Sequence, residues 1–236
     1  MTPEQKSINE LKSTILSELS EAPSLGDLIF ITQNTYMTID HHIDLWKAND
    51  NPSFACQSGC GHCCFQAVWV TEPEVILLAE AIRNQDSPLL KRAAEMNEIT
   101  KSMDLEERKN TPVACPFLYE DKTCFVYEVR PVACRFVYSN DETACINDLQ
   151  NRTEGVGVFS RPIDQANQIR SALVSALYDI DLHCHTLDLN AALTIAMVDP
   201  SAGERWLNGE NSFEKAIAPD QTVDIIDLSR GVTGDI

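Results

Sequence analysis

The sequence predicts a mainly α-helical fold with a small β-hairpin, in which helices surround an irregular cysteine-rich knuckle at residues 53–66. Apolar residues recur at intervals of three and four in six stretches, which is the period of an amphipathic helix. Four cysteines fall within nine residues, in the run CQSGCGHCC, where neither helical nor strand periodicity is present. Two short runs of aromatic and β-branched residues further along the chain predict the hairpin.

The helices are predicted in chain order from their apolar positions. The third begins at a capping box, Thr71-x-x-Glu74, with Pro73 in its first turn. Pro52 ends the second helix and Pro112 ends the fourth, because the residue before a proline disfavours helical backbone. The predicted ranges are about 4–19, 27–47, 72–83, 88–108, 161–182 and 189–197.

The composition supports an ordinary hydrophobic core. The chain has 236 residues, of which 44% are hydrophobic, so no cross-link has to hold the fold together alone. We predict one helical domain over residues 1–208, which contains the cysteine-rich segment 53–145. Residues 209–236 mix acidic residues with Gly, Pro and isolated apolar residues. We expect them to form an acidic C-terminal tail that is partly disordered or lies along the surface.

The charge of the chain disfavours two classes of partner. Acidic residues outnumber basic ones 36 to 18, which gives a formal net charge of -18. Nucleic acids and anionic membranes both bind clustered Lys and Arg, so neither is expected as a partner. The first twenty residues lack a secretory signal pattern, and no apolar run is long enough for a membrane span. We therefore expect a cytoplasmic protein, where cysteines stay reduced.

The cysteines form one long ordered pattern. C-x3-C-x2-C-C is followed by C-P-F-L and then by C-x2-Y-x2-R-P-x2-C-R. Thiolates at close range repel one another and oxidise readily, so a chain that gathers them in a reducing compartment needs a cation to neutralise them. The pattern indicates a metal or iron–sulfur site. Its candidate ligands are Cys56, Cys60, Cys63, Cys64, Cys115, Cys124 and Cys134.

The second half of this pattern is expected to fold back onto the knuckle. The runs 115–119 and 124–127 are predicted to be the hairpin strands, with a cysteine at the start of each. A short helix follows within residues 127–135, with Pro131 in its first turn and Cys134 just beyond it. The hairpin and the short helix thereby return thiolates to the knuckle.

The ordered set resembles the YkgJ-like proteins, a family described as zinc- or iron-chelating CxxCxxCC domains. The resemblance covers roughly residues 56–145, which is less than half of the chain. Cys115 heads the C-P-F-L element, and Tyr127, Arg130 and Pro131 match the closing segment. The resemblance implies that the seven candidate cysteines bind metal, and it implies no particular reaction.

The sequence leaves two kinds of metal centre as candidates. Zinc takes four ligands in a closed tetrahedral shell, and a [4Fe-4S] cluster also takes four thiolates. Seven family cysteines exceed one zinc shell, and the adjacent Cys63 and Cys64 point in different directions. The sequence therefore favours an iron–sulfur cluster with a role in electron transfer or redox modification, and zinc is the alternative.

Two further hypotheses come from different classes of protein. One is a zinc-stapled interaction module that carries out no chemistry. The other is a protein-modifying enzyme, because flagellin lysine N-methylases look similar in this cysteine segment, although no S-adenosylmethionine-binding loop is recognisable here. Whether the chain is an enzyme, and which protein partner or substrate it would contact, is left open.

Several other side chains have two interpretations each. Arg130 and Arg135 either offset thiolate charge or pair with nearby carboxylates. Tyr127 either donates to the site or packs, and His62 is either a ligand or exposed. Three more residues, His183, Cys184 and His185, either form part of a metal site or lie at a helix end. We expect Cys145 to be a small buried hydrophobic residue.

Overall fold

The structure is a computed structural model that describes residues 3–19, 23–83, 88–151 and 156–218. Within these ranges the fold is mainly helical with one small antiparallel sheet, as the sequence predicted. The helices are α1 (Pro3–Glu18), α2 (Leu25–Asp50), α3 (Glu72–Arg83), α4 (Leu89–Thr100), α5 (Leu105–Asn110), α6 (Val132–Arg135), α7 (Glu142–Asn151), α8 (Ser160–Tyr178), α9 (Leu189–Val198) and α10 (Ala202–Leu207). The strands are β1 (Trp69–Val70) and β2 (Leu187–Asp188), and 3-10 turns lie at His62–Phe65, Tyr127–Val129 and Glu214–Ala216. No helix in these ranges combines the length and the apolarity that crossing a lipid bilayer requires.

Helix α2 is longer than the sequence predicted at both ends. Ser24 and Asp27 form a capping box, in which each side chain bonds the other residue's backbone N–H, so the helix starts before Gly26. Asn51 ends it in the left-handed conformation, with a φ of 43°. The predicted apolar face is buried, since none of its residues is more than 3% exposed. That face consists of Tyr36, Ile39, Ile43 and Trp46.

The buried face of α2 positions the cysteine-rich segment. It shares a hydrophobic cluster with Val132 and Phe136, which flank Cys134 in sequence. The larger core cluster joins α1, α3, α4, α8 and α9, with α8 against α1 and α2, and α9 against α3 and α4. Burial of apolar area at roughly 25 cal/mol per Å² therefore anchors the knuckle's neighbours without any contribution from a metal.

The predicted fourth helix is two helices. Helix α4 ends at Thr100 and α5 starts after Asp104. The Asp104 side chain accepts from the Glu107 N–H at 2.8 Å, and Glu107 accepts from the Asp104 N–H at 3.1 Å. This capping box holds Asp104 in extended backbone, which interrupts a helix that the apolar spacing alone would continue.

The predicted hairpin is a tight chain reversal with one β-bridge. The Tyr119 N–H donates to the Thr123 carbonyl at 2.9 Å, and Leu118 bridges Cys124. The chain then enters the 3-10 turn Tyr127–Val129, so the second predicted strand is too short to form a ladder. The regular sheet lies elsewhere, where Trp69 pairs with Asp188 and Val70 with Leu187.

The described residues after 208 pack against the helices. Phe213 is fully buried, and the Ala218 N–H donates to the Thr186 carbonyl at 2.8 Å next to β2. The rest of the predicted acidic tail, 219–236, lies outside the described residues.

Two buried carboxylates at the start of α3 tie distant segments together. Glu74 accepts from the Thr71 N–H at 2.9 Å, and this bond is half of the predicted capping box. Glu74 also accepts from the Val132 N–H at 2.8 Å, at the start of α6. Glu72 accepts from the His185 N–H at 2.8 Å and lies 2.7 Å from His185 Nδ1. Because buried carboxylates are costly unless hydrogen-bonded, both contacts are strong constraints on the fold.

The contact between His185 and Glu72 predicts a pH-dependent stability. The hydrogen bond to Glu72 raises the pKa of His185, and partial burial of the ring opposes that rise. The pair therefore stabilises the fold fully below the ordinary imidazole pKa of about 6.5, and this contribution is lost as the pH rises through the raised pKa of folded His185. We expect His185→Gln to lower the free energy of unfolding by no more than about 1 kcal/mol, because the imidazole is partly exposed, and to do so more at about pH 6 than at about pH 8.

Urea unfolding at both pH values measures this effect. His183→Gln is the matched control, because the His183 ring packs against Tyr178 and not against a carboxylate in the contacts described. Equal losses at both pH values in His185→Gln would contradict the assignment.

Candidate metal centre

The knuckle is built from backbone contacts between distant segments. The Cys115 N–H donates to the Cys64 carbonyl at 2.7 Å, and the Val113 N–H donates to the Phe65 carbonyl at 3.2 Å. These bonds attach the chain reversal at residues 115–124 to the 3-10 helix His62–Phe65. The sequence predicted that this segment returns to the knuckle, and the structure brings the two together.

Gly61 allows this close approach. Its φ is 57°, and a Cβ built there would lie 3.0 Å from Cβ and 3.2 Å from the carbonyl oxygen of Lys122. Both the backbone conformation and the space exclude a larger residue. A glycine immediately before the HCC run is therefore required for residues 62–65 to pack under the reversal.

Three cysteines in the second half of the segment lie near Cys63. We name them the turn-side group: Cys115, Cys124 and Cys134. Burial raises the pKa of Cys115 to about 12, and the neighbouring charges of Cys124 and Cys63 raise it further. The pKa of Cys134 is well above its ordinary value because of burial and then the charges of Cys115, Cys63 and Cys124. Cys134 itself lies within α6 rather than just beyond it as predicted.

A second set of three cysteines includes one from a helix. We name it the helix-side group: Cys56, Cys60 and Cys145, the last of which is on α7. Burial raises the pKa of Cys145 to about 11, and the charges of Cys56, Cys63 and Cys60 contribute. The expectation that Cys145 is a small buried hydrophobic residue is therefore wrong, since it is half-buried among other thiols. Sequence reasoning missed it because helix α7 was not predicted.

Cys63 and Cys64 lie between the two groups. Their side chains are hydrogen-bonded, and this bond, followed by burial and the Cys64 charge, raises the pKa of Cys63 well above its ordinary value. Cys63 and Cys134 are nevertheless exposed, while the other thiols are half-buried.

The donor set fits zinc or iron. All nine cysteines are free thiols, and burial raises the pKa of Cys56 and of Cys124, with the charge of Cys63 adding to both rises. A cation reverses this penalty, and backbone N–H groups of Phe117, Val126 and Ser139 already bond the sulfurs of thiols. Among the described residues, no three His, Cys, Asp or Glu side chains are yet arranged to hold an ion. Binding would therefore require these side chains to close around the ion.

Comparison with known proteins identifies this segment. Residues 55–155 match the model of the family CxxCxxCC, whose description is "Putative zinc- or iron-chelating domain". Residues 55–155, which are less than half of the chain, are thus similar to this family, and we call them the CxxCxxCC domain. No curated protein matches the chain, and no solved structure matches it. The matched range includes both cysteine groups and α7, and it extends ten residues beyond the resemblance read from the sequence, which ended at 145.

The two arginines of the CxxCxxCC domain have different surroundings. Arg135 is 1% exposed. Its guanidinium donates to Asp40 and to the carbonyls of Glu128 and Arg130. It also lies 4.1 Å from the centre of the Tyr36 ring. Its role is structural, and its partner Asp40 is not among the carboxylates expected from the sequence. Arg135 thereby joins α6 to α2.

Arg130 faces the thiols. It donates to the carbonyls of Cys134 at 3.2 Å and Tyr127 at 2.8 Å, and its guanidinium stacks 3.8 Å from the centre of the Tyr127 ring. Its positive charge works against the rise in pKa of Cys63, Cys124 and Cys134. Stacking on the Tyr127 ring therefore orients the Arg130 guanidinium.

Two of the histidine candidates, His62 and His185, contact carboxylates. His62 Nε2 lies 3.3 Å from Glu142 Oε1 on α7, and His185 contacts Glu72. Cys184 is held away from the knuckle thiols, in an environment where burial and then the charges of Glu72, Glu74 and Arg170 set its pKa. The structure does not bring His183, Cys184 and His185 into either cysteine group.

Substitution of Arg135 and substitution of Arg130 should change the free energy of unfolding by different amounts. We expect Arg135→Met to lower the free energy of unfolding by about 3 kcal/mol, because it removes a buried charge with three hydrogen-bonded partners. Arg130→Met should cost less than about 1 kcal/mol, because its contacts are exposed. Urea unfolding of the metal-free chain measures both, and equal costs would contradict the assignment.

Proposed function

We propose that the chain is a metal-binding protein whose CxxCxxCC domain holds an iron–sulfur cluster. The observation that carries the proposal is the hydrogen bond of 2.7 Å from the Cys115 N–H to the Cys64 carbonyl, which brings cysteines from both halves of the domain together. The turn-side group and one member of the Cys63–Cys64 pair make four thiolates, the number that a [4Fe-4S] cluster takes.

The surroundings of these four thiols support iron–sulfur chemistry. Such a cluster supplies one-electron transfer, and its potential depends on hydrogen bonds to sulfur, on nearby charge and on solvent exposure. Backbone N–H groups of Phe117 and Val126 donate to Cys115 and Cys124. Arg130 supplies the positive charge, and the exposure of the site gives a redox partner access.

The role that follows is electron transfer or redox modification of a protein partner in a reducing compartment, which for this chain we take to be the cytoplasm. The free thiols support that compartment. Zinc is the second candidate metal. The C-x3-C spacing of Cys56 and Cys60, which is typical of tetrahedral zinc sites, favours it within the helix-side group.

The metal content of anaerobically purified protein tests the proposal. We expect a brown protein with a broad visible absorption from sulfur-to-iron charge transfer, together with iron and acid-labile sulfide. Cys134→Ser should abolish that absorption, because it removes one of the four ligands. Cys184→Ser should retain it, since Cys184 is a half-buried thiol outside both groups. A colourless wild-type chain that contains zinc and no iron would overturn the proposal.

The reduction potential of the cluster should depend on Arg130. We expect Arg130→Met to lower the potential by roughly tens of millivolts, because a positive charge near the sulfurs favours the reduced, more negative cluster. Arg130→Lys should restore part of the shift. Arg92→Met is the comparison, because Arg92 on α4 donates to the Leu118 carbonyl and its charge acts on Cys115. Potentiometric titration followed in the visible range measures these shifts, and an unchanged potential in Arg130→Met would refute the role of Arg130.

A further inference from the structure

We infer that the surface hollow beside Tyr127 is a docking site for a basic protein segment that carries an aliphatic side chain. The hollow has a volume of about 180 Å³, and we name it the aromatic hollow. Its lining consists of Ala81, Phe125, Val126, Tyr127, Glu128 and Val129. The inference rests on the proposed function in one respect, which is that the bound segment belongs to a redox partner.

The size and the floor of the aromatic hollow indicate what it holds. Pockets for drug-sized ligands and cofactors have volumes of about 300 to 1,000 Å³, so this one is too small for such a molecule and suits one side chain. Val126 is 5% exposed, and Phe125 and Val129 pack against the main core cluster. Because this floor is apolar and anchored, burial of an aliphatic side chain on it is favourable.

Two tyrosines next to the floor are exposed and already oriented. Tyr127 is 56% exposed, and its ring is stacked by the Arg130 guanidinium at 3.8 Å. Tyr119 is 44% exposed, and its ring packs edge-on against Phe125, with 5.5 Å between the ring centres. Tyrosines are enriched among the residues that contribute most to protein interfaces, and fixed rings lose little conformational entropy on binding. Both rings are therefore suited to contact a partner.

The aromatic hollow borders the candidate metal centre. Cys124 immediately precedes Phe125 in the lining. Arg130, which stacks on Tyr127, donates to the carbonyl of Cys134 at 3.2 Å, and Cys134 is exposed. A segment that rests on the Tyr127 ring is thus separated from the Cys134 backbone by one side chain. Docking here brings a partner next to the thiols.

The charges near the aromatic hollow favour a basic partner. Within residues 115–129, carboxylates outnumber bases three to one, and all four of these side chains are exposed. They are Glu120, Asp121, Glu128 and Lys122. The whole chain has a formal net charge of -18, which adds to the attraction of a cationic segment. Opposite charge speeds association and disfavours acidic partners, and a small contact area is typical of transient redox encounters.

Photo-crosslinking of the anaerobically purified full-length chain tests this inference. The probe is the capped peptide Lys-Lys-X-Lys-Lys, in which X is photo-leucine, a leucine analogue whose diazirine inserts into neighbouring bonds on illumination. We expect mass spectrometry to locate the crosslinks at Ala81 and residues 125–129, with a yield that falls as salt screens the charges. The matched peptide Glu-Glu-X-Glu-Glu should give little crosslinking.

Two variants and one control identify the contacts. Tyr127→Ala should lower the crosslinking yield at subsaturating peptide by about tenfold, because it removes an exposed aromatic anchor. Tyr178→Ala is the control and should keep the yield, since Tyr178 is 63% exposed but packs against His183, outside the CxxCxxCC domain. Glu128→Lys should lower the yield of the lysine peptide and raise that of the glutamate peptide. It leaves the Glu128 carbonyl in place as the acceptor for Arg135.

The outcomes separate this inference from the proposed function. Crosslinks that lie instead on the exposed apolar residues of α2, such as Phe30 and Met37, overturn the docking site, and so do equal yields from the two peptides. A brown chain with either result retains the proposed cluster. A colourless zinc-containing chain that crosslinks at the aromatic hollow overturns the cluster and the redox partner, and supports the docking of a basic segment.

Discussion

Repulsion between thiolates is the constraint on which the arrangement of this chain depends. The cysteines of this region come from four segments, and burial, followed by the charges of neighbouring thiols, raises the pKa of Cys56, Cys115, Cys134 and Cys145. A protein can hold such a set only if the thiols stay protonated or if a cation offsets their charge. The backbone N–H groups aimed at three of the sulfurs and the guanidinium of Arg130 reduce this cost but carry too little charge to cancel it.

Core contacts hold the scaffold that carries the thiols. Glu74 in α3 accepts from the start of α6, and Arg135 in α6 reaches Asp40 in α2, so two buried polar contacts fix the helix that carries Cys134. The apolar face of α2 packs against both sides of that helix. Because these contacts belong to the core, an ion would mainly close side chains around itself rather than fold the chain, in contrast to small zinc domains that need metal to fold.

Much of the helical part of the fold was predictable because burial against a core imposes a period of 3.6 residues. The faces of α2, α3 and α8 show that period, and their bounds agree with prediction to within a few residues. The break between α4 and α5 was missed because a capping box at Asp104 overrides a continuous apolar pattern. The pairing of β1 with β2 was also missed, since two-residue strands that are far apart in sequence leave no local pattern.

The sequence predicted the donor type of the site, which is a set of soft thiolates in an ordered spacing. The chain reversal with one cysteine near each end was likewise readable, because turn residues and glycines act locally. Which thiols share a group could not be read from spacing. Cys145 joins Cys56 and Cys60 because α7 is rotated by contacts with His62 and Gln66, about eighty residues earlier. Such a rotation is set by side chains distant in sequence, and only folding brings them within reach of one another.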